Sequence, residues 1–306
     1  MEPFFYTAFG LIFRSAFPIH ALEPRRLDGA GRWDVDIRLC DVPAPANGVP
    51  LREMRVEISD RDGVFEIPES GTFRIRDGAT IDVLPWPGAT ADEVEAYLLG
   101  TCMGTLLYQR RLFPLHANAV VCDGMAFAVC GDSGAGKSTL AAFFARAGLP
   151  LLTDDLLAVA AGESGVLVHS GIPRVKLWQD AIEALGHSAE GLRPVSWMEG
   201  KFESPLNQLA SGVFPLRAIY SLGLAGDGET TVERLQGLSA MTVVLQNIYR
   251  RELADMAGQS KTYFEAATRL GQQVPVFSFR RPAGFDHFEA SSGVLVSHMK
   301  SLVPAR

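Results

Sequence analysis

The chain has 306 residues, 47% hydrophobic and 21% charged, a balance that excludes a disordered or low-complexity protein and suffices for one large domain or two ordinary ones. Its net charge of −7 and sequence pI of about 5.4 leave no overall basic field to gather nucleic acid or anionic lipid, so neither nucleic acid nor membrane is expected as a partner. Cys40, Cys102, Cys122 and Cys130 lie without CxxC spacing and no HExxH occurs, which excludes the common zinc motifs and predicts a reducing compartment.

The opening MEPFFYTAFGLIF carries ten largely apolar residues from Phe4 to Phe13, but Glu2 stands where a signal peptide has Lys or Arg, and no small-residue cleavage site follows. No stretch reaches the roughly 18 apolar residues of a membrane helix. A cytoplasmic location is the default expectation. Residues 1–90 read as β-rich: WDVDIRLC (33–40) and GTFRIRDG (71–78) alternate apolar and polar side chains between turn clusters such as SDRDG and PWPG. A small antiparallel module for recognition or assembly is predicted there.

The texture changes at ATADEVEAYLLGTCMGTLLYQRR (89–111), with acids early, bases late and apolar residues at helical spacing. The spacing predicts a helix that opens a second domain over 91–306. Two apolar strands then flank Asp123-Gly124, the second running from about Ala126 to Cys130 into GDSGAGKST, and a helix is expected from Lys137 to Gly148. LPLLTDDLLAVA, GVLVHSG, PLRAIYSLGL and VPVFSFRRP read as strands. LSAMTVVLQNIYRRELADM (238–256) and FDHFEASSGVLVSHMKSL (285–302) read as helices. The alternation predicts an α/β domain with a mixed sheet.

Gly131, Gly136, Lys137 and Ser138 match G-x-x-x-x-G-K-[ST]. Strand before and helix after are the context in which this loop cradles phosphate on inward N–H groups and on the positive helix end. The predicted nucleotide site is Gly131, Asp132, Ser133, Gly134, Ala135, Gly136, Lys137, Ser138 and Thr139. Lys137 supplies a point charge for the β/γ oxygens, and the Ser138 hydroxyl is placed on Mg²⁺. ATP and Mg²⁺ are the expected ligands.

Asp154 and Asp155 follow Lys137 by 17 and 18 residues in an apolar run, where two acids are costly to bury unless a cation offsets them. One, assigned to Asp155, is expected to help Ser138 hold Mg²⁺; the pair also supplies a base for an attacking hydroxyl. His116 stands at the entry of the strand pair that leads into the loop. Arg174, Lys176 and Lys201 are candidates for a second phosphate or substrate clamp, set against an equal reading as ordinary surface bases.

Together, His116 placed 15 residues before Gly131, GDSGAGKS, and TDD resemble the HPr kinase/phosphorylase family over residues 112–160, and more loosely over the rest of the second domain. The resemblance implies a P-loop domain related to phosphoenolpyruvate carboxykinase, and a kinase that phosphorylates serine. One acid would act as general base and the histidine would order the acids and phosphate, so the catalytic set is Asp154, Asp155, His116 and Lys137. Members assemble as hexamers, and a homo-oligomer is an expectation of the same kind. The chain departs from the family at SGIPRVKLWQDA (170–181), which holds Arg174 and Lys176 but no glutamate, and at Thr139, where an acid is common. PRVKLW, GKFESPLNQL and YTAFGLIFRSAFP are similar instead to HPr-kinase-like proteins of lasso-peptide biosynthesis, which implies a peptide acceptor ending in serine. The competing readings are an HPr-type kinase/phosphorylase, a free-serine or small-alcohol kinase, and a non-enzymatic nucleotide sensor. No LSGGQ or NKxD supports a transporter motor or a GTPase.

Overall fold

The structure, a computed structural model, describes residues 2–304 other than 23, 26–30, 133, 163–164, 173, 187, 196–199, 205–208 and 227. The chain divides into two units, Met1–Pro114 with Tyr249–Tyr263, and Leu115–Ile248 with Phe264–Arg306. The helical stretch after residue 90 thus groups with the β-rich front of the chain.

In the first unit an eight-stranded sheet runs in the order Phe4–Ala8, Leu11–Ser15, Val35–Leu39, Thr80–Pro85, Gly71–Arg76, Asp62–Ile67, Met54–Ile58, Val49–Leu51. Alternation sends Phe13, Val35, Ile37, Phe65, Phe73, Ile75, Ile81 and Val83 inward. The other face carries a ladder of ion pairs: Arg14 with Asp36, Arg38 and Arg76 with Asp82, and Arg74 with Asp62. The sheet is mixed rather than purely antiparallel. Leu11–Ser15 and Thr80–Pro85 both lie parallel to Val35–Leu39, because the chain reaches each by a long connection rather than by a hairpin. Thr90 caps the helix that follows in a reciprocal capping box with Glu93, and the helix continues through a π-helical turn at Leu98–Cys102 to Gln109.

The second unit is built on the hairpin of Asn118–Cys122 and Met125–Cys130. Its turn residues Asp123 and Gly124 both take positive φ, 46° and 79°, the geometry that closes a two-residue hairpin with the native twist. Met125–Cys130 lies parallel to Val213–Leu224, which lies parallel to Val276–Arg281. On the outer side of the hairpin Leu151–Thr153 pairs antiparallel with Asn118–Cys122. Gly165–His169 and Leu157–Gly162 extend the sheet from Val213–Leu224, and Thr231–Leu235 borders Val276–Arg281. Sheets that mix parallel and antiparallel strands with helices make this an α/β fold.

Helix Lys137–Arg146 lays Leu140, Ala141, Phe143 and Phe144 on the sheet residues Val120, Phe127 and Val129. Helix Phe288–Leu302 adds Leu295, Val296 and Met299 to the same core. The stretch expected as one helix over 238–256 is two, Gly237–Gln246 and Arg251–Met256, separated by Arg250 in the left-handed region (φ 47°). Among the described residues no helix is long and apolar enough to cross a membrane.

Phe144 is 1% exposed and anchors the helix that follows the glycine loop. Phe144→Ala is expected to destabilise the protein by about 3–5 kcal/mol through lost burial and a residual cavity, read as a lower urea midpoint.

Candidate active site

The strand Met125–Cys130 ends where the glycine loop begins, and two of its glycines are sterically required. Gly131 has φ 149°, and a Cβ there would come 2.8 Å from the Leu222 carbonyl oxygen. Gly136 has φ 98°, and a Cβ there would come 2.9 Å from Nη2 of Arg281. The Lys137 ammonium spans the bend, donating to the carbonyl oxygens of Gly131 at 2.7 Å and Asp132 at 3.1 Å. Lys137 is 8% exposed. Burial lowers its pKa, opposed by the charges of Asp155, Asp154 and Asp132. Ala135 N–H donates to the Asp132 carbonyl at 3.2 Å, tightening the loop. Ser133 lies outside the described residues.

The acid pair interrupts what the sequence suggests as one strand. Leu151–Thr153 stops, the chain turns, and Leu157–Gly162 begins. Thr153 Oγ1 donates to the Leu156 carbonyl at 2.8 Å, and Leu156 N–H donates to the Asp154 carbonyl at 2.9 Å, which closes the turn. Asp155 takes φ 72°, so the two carboxylates have different surroundings. Asp154 is buried, its oxygens 3.4 and 3.5 Å from Ser138 Oγ. Desolvation, and then the negative charge of Asp155, push its pKa up to about 7, against the backbone N–H of Lys176 and the charges of Lys201 and Lys137. The Asp155 side chain is 62% exposed, with Oδ1 3.3 Å from Nε2 of His116.

His116 is placed by a residue the sequence reading passes over. Its N–H donates to the carbonyl of Asn247 at 2.7 Å, while Leu115 forms a bridge with Ile248. The Asn247 side chain turns the other way and accepts from the Gly131 N–H at 3.2 Å, its own amide donating to Val243 O at 2.8 Å. One asparagine thus ties His116 to the start of the glycine loop. The available signal is its place at the end of an apolar helical run, where Asn is a favoured terminator.

The predicted basic residues lie on or beside a three-stranded sheet in the order Val175–Trp178, Lys201–Ser204, Arg193–Pro194. Arg174, which immediately precedes Val175–Trp178, donates to Glu203 Oε1 at 2.6 Å. Lys176 is paired in register with Glu203. Desolvation, and then the charge of Arg174, lower its pKa to about 8, opposed by Asp155 and Glu203. The Lys201 ammonium stacks 5.1 Å from the ring centre of Trp178.

The geometry therefore brings Lys137, Ser138, Asp154, Asp155 and His116 together, with Lys176 and Lys201 close enough to act on the acids electrostatically. Ser138 stands beside Asp154, whereas the sequence reading joined it to Asp155 as a metal ligand. Gly134, Ala135 and Gly136 contribute loop backbone, and Thr139 lies in the first turn of the helix. Among the described residues no cluster of three or more His, Cys, Asp or Glu is arranged to hold a metal ion. A hydroxyl and one carboxylate suit Mg²⁺, which takes few protein ligands and keeps phosphate and water oxygens for the rest.

No family model matches the chain, and no curated protein matches it. Among solved structures it is similar to the HPr(Ser) kinase/phosphatase from Coxiella burnetii, at a TM-score of 0.32 and 13% identity, over 61% of this chain and 97% of that one.

Asp154 has a folded-state pKa raised from 3.8 to about 7. Its carboxyl therefore contributes most stability below its unfolded pKa, and that contribution is lost as pH rises from about 4 through 7. Asp154→Asn removes the charge, so it is expected to raise the Tm at pH 8 by several degrees and by much less at pH 5, measured by thermal unfolding across that range.

Proposed function

We propose that the chain is an ATP-dependent phosphotransferase that passes the γ-phosphoryl group to a serine hydroxyl of a peptide or protein. The supporting observation is the division of labour between two adjacent carboxylates, one buried against Ser138 and the other exposed and aligned by His116. A nucleotide holder needs the first; an alcohol acceptor needs the second as well.

The loop N–H groups and the start of helix Lys137–Arg146 receive the phosphates. Ser138 and Asp154 would hold a magnesium ion, which would supply positive charge to the bound phosphates. Lys137 adds its ammonium to the same oxygens, and in doing so exchanges carbonyl partners for charged ones. Asp155, open to solvent, accepts the proton of the incoming hydroxyl, while His116 holds its carboxylate in one orientation. Positioning and charge stabilisation of this kind account for most of phosphoryl-transfer catalysis. The acceptor's backbone is assigned to the three-stranded sheet, where Trp178 presents an exposed ring with the Lys201 ammonium against it. Resemblance of PRVKLW and its neighbours to lasso-peptide kinases supports a precursor peptide ending in serine as that acceptor.

The test is incubation with Mg-ATP and serine-ended peptides, other proteins or free serine, followed by intact mass measurement. A gain of one phosphoryl group on a peptide supports the proposal, transfer to free serine alone points to a metabolite kinase, and nucleotide binding with no transfer points to a sensor. Lys137→Ala is expected to abolish transfer. Asp155→Asn is expected to lower kcat by roughly 10²–10⁴-fold with ATP affinity little changed, and His116→Ala to lower it less, since it acts through Asp155.

A further inference from the structure

Arg281 ends the third parallel strand, Val276–Arg281, in register with Leu224. Its residue is 7% exposed, a depth at which a guanidinium is normally matched by a carboxylate. No carboxylate among the described residues pairs with it, and burial alone lowers its pKa. Nη1 donates to the carbonyls of Pro282 at 3.0 Å and Gly284 at 3.3 Å, and the guanidinium carbon lies 5.1 Å from the ring centre of Phe288. These contacts fix the group without neutralising it. Nε is buried with no partner at all, and Nη2 lies against Gly136, the residue from which helix Lys137–Arg146 starts.

A buried cation held in place against a ten-residue helix's N-terminus adds to the positive potential already present there. The arrangement is costly for the protein alone and becomes favourable when an anion is brought to the loop. We propose that Arg281 is a second fixed cation of the phosphate site, donating from Nη2 or Nε to an oxygen of the bound phosphate chain. The proposal rests on the reading of the loop as a nucleotide site; the φ of 98° calls for glycine at 136, and the missing Cβ lets Nη2 lie against the loop backbone.

The experiment measures dissociation constants of Mg-ATP and of inorganic tripolyphosphate, which lacks base and ribose, for the full chain and for Arg281→Met and Arg281→Gln. Both variants are expected to bind each ligand about 10- to 100-fold more weakly, the range for loss of a charged hydrogen bond. Without ligand their Tm is expected to be unchanged or higher, because an unmatched buried charge has been removed. Folded variants that bind tripolyphosphate as tightly as the parent overturn the inference and leave the proposed function standing. A parent protein that binds neither ligand overturns both. Should the variants fail to fold, the Nε–Hε NMR resonance of Arg281 in the parent, assigned by its loss in Arg281→Lys, is followed instead. It is expected to shift on saturation with tripolyphosphate, and an unmoved resonance overturns the inference.

Discussion

The Lys137 ammonium, donating across the glycine loop to the carbonyls of Gly131 and Asp132, holds together the two ends of a bend half of whose residues are glycine. Such a bend has little else to stabilise it, since glycine loses more conformational freedom on ordering than any other residue. The neighbouring contacts all serve the same segment. Asn247 holds the first N–H, the turn from Asp132 to Ala135 shortens the middle, and the apolar underside of the helix secures the exit. The charge that closes the loop is also the charge its proposed ligand would use, so folding and binding draw on one group.

The two acids show how a single backbone feature separates chemical roles. Adjacent residues in a continuing strand point to opposite faces, but here the strand stops at Thr153 and Asp155 takes φ 72°. Asp154 is left beside Ser138 in a dry environment and Asp155 beside His116 in a wet one. Asp155 raises the pKa of Asp154, so the two negative charges oppose one another until cations arrive.

Much of this layout is legible in the sequence because the signals are local. The Asp-Gly turn, the apolar strand before GDSGAGKS and the helix after it depend on neighbours within a few residues, and they appear where periodicity places them. The acids were visible as a cost in an apolar run. What is illegible depends on contacts made across long separations. Arg174 finds its glutamate 29 positions away at Glu203, and Gly131 finds Asn247 at a distance of 116. The break near residue 247 is hidden because apolar spacing continues through it, while the competing hydrogen bond comes from His116. Nothing in the composition of VPVFSFRRP says which of its two arginines is swallowed. Alternation cannot settle that at a strand's last residue, yet Arg281 is buried and Arg280 is not.

The division of the chain has a consequence for how such a protein is inherited and handled. Because Tyr249–Tyr263 belongs with the front unit while the residues on both sides belong with the other, the backbone passes between the units three times. Neither unit is encoded by an uninterrupted stretch of gene. A fragment cut at residue 90 or 114 lacks the segment bearing Tyr249, whose carbonyl accepts from the Tyr108 hydroxyl and whose ring covers Gly100 and Gly104. Simple exchange of one half by recombination would therefore leave a gap in its own packing.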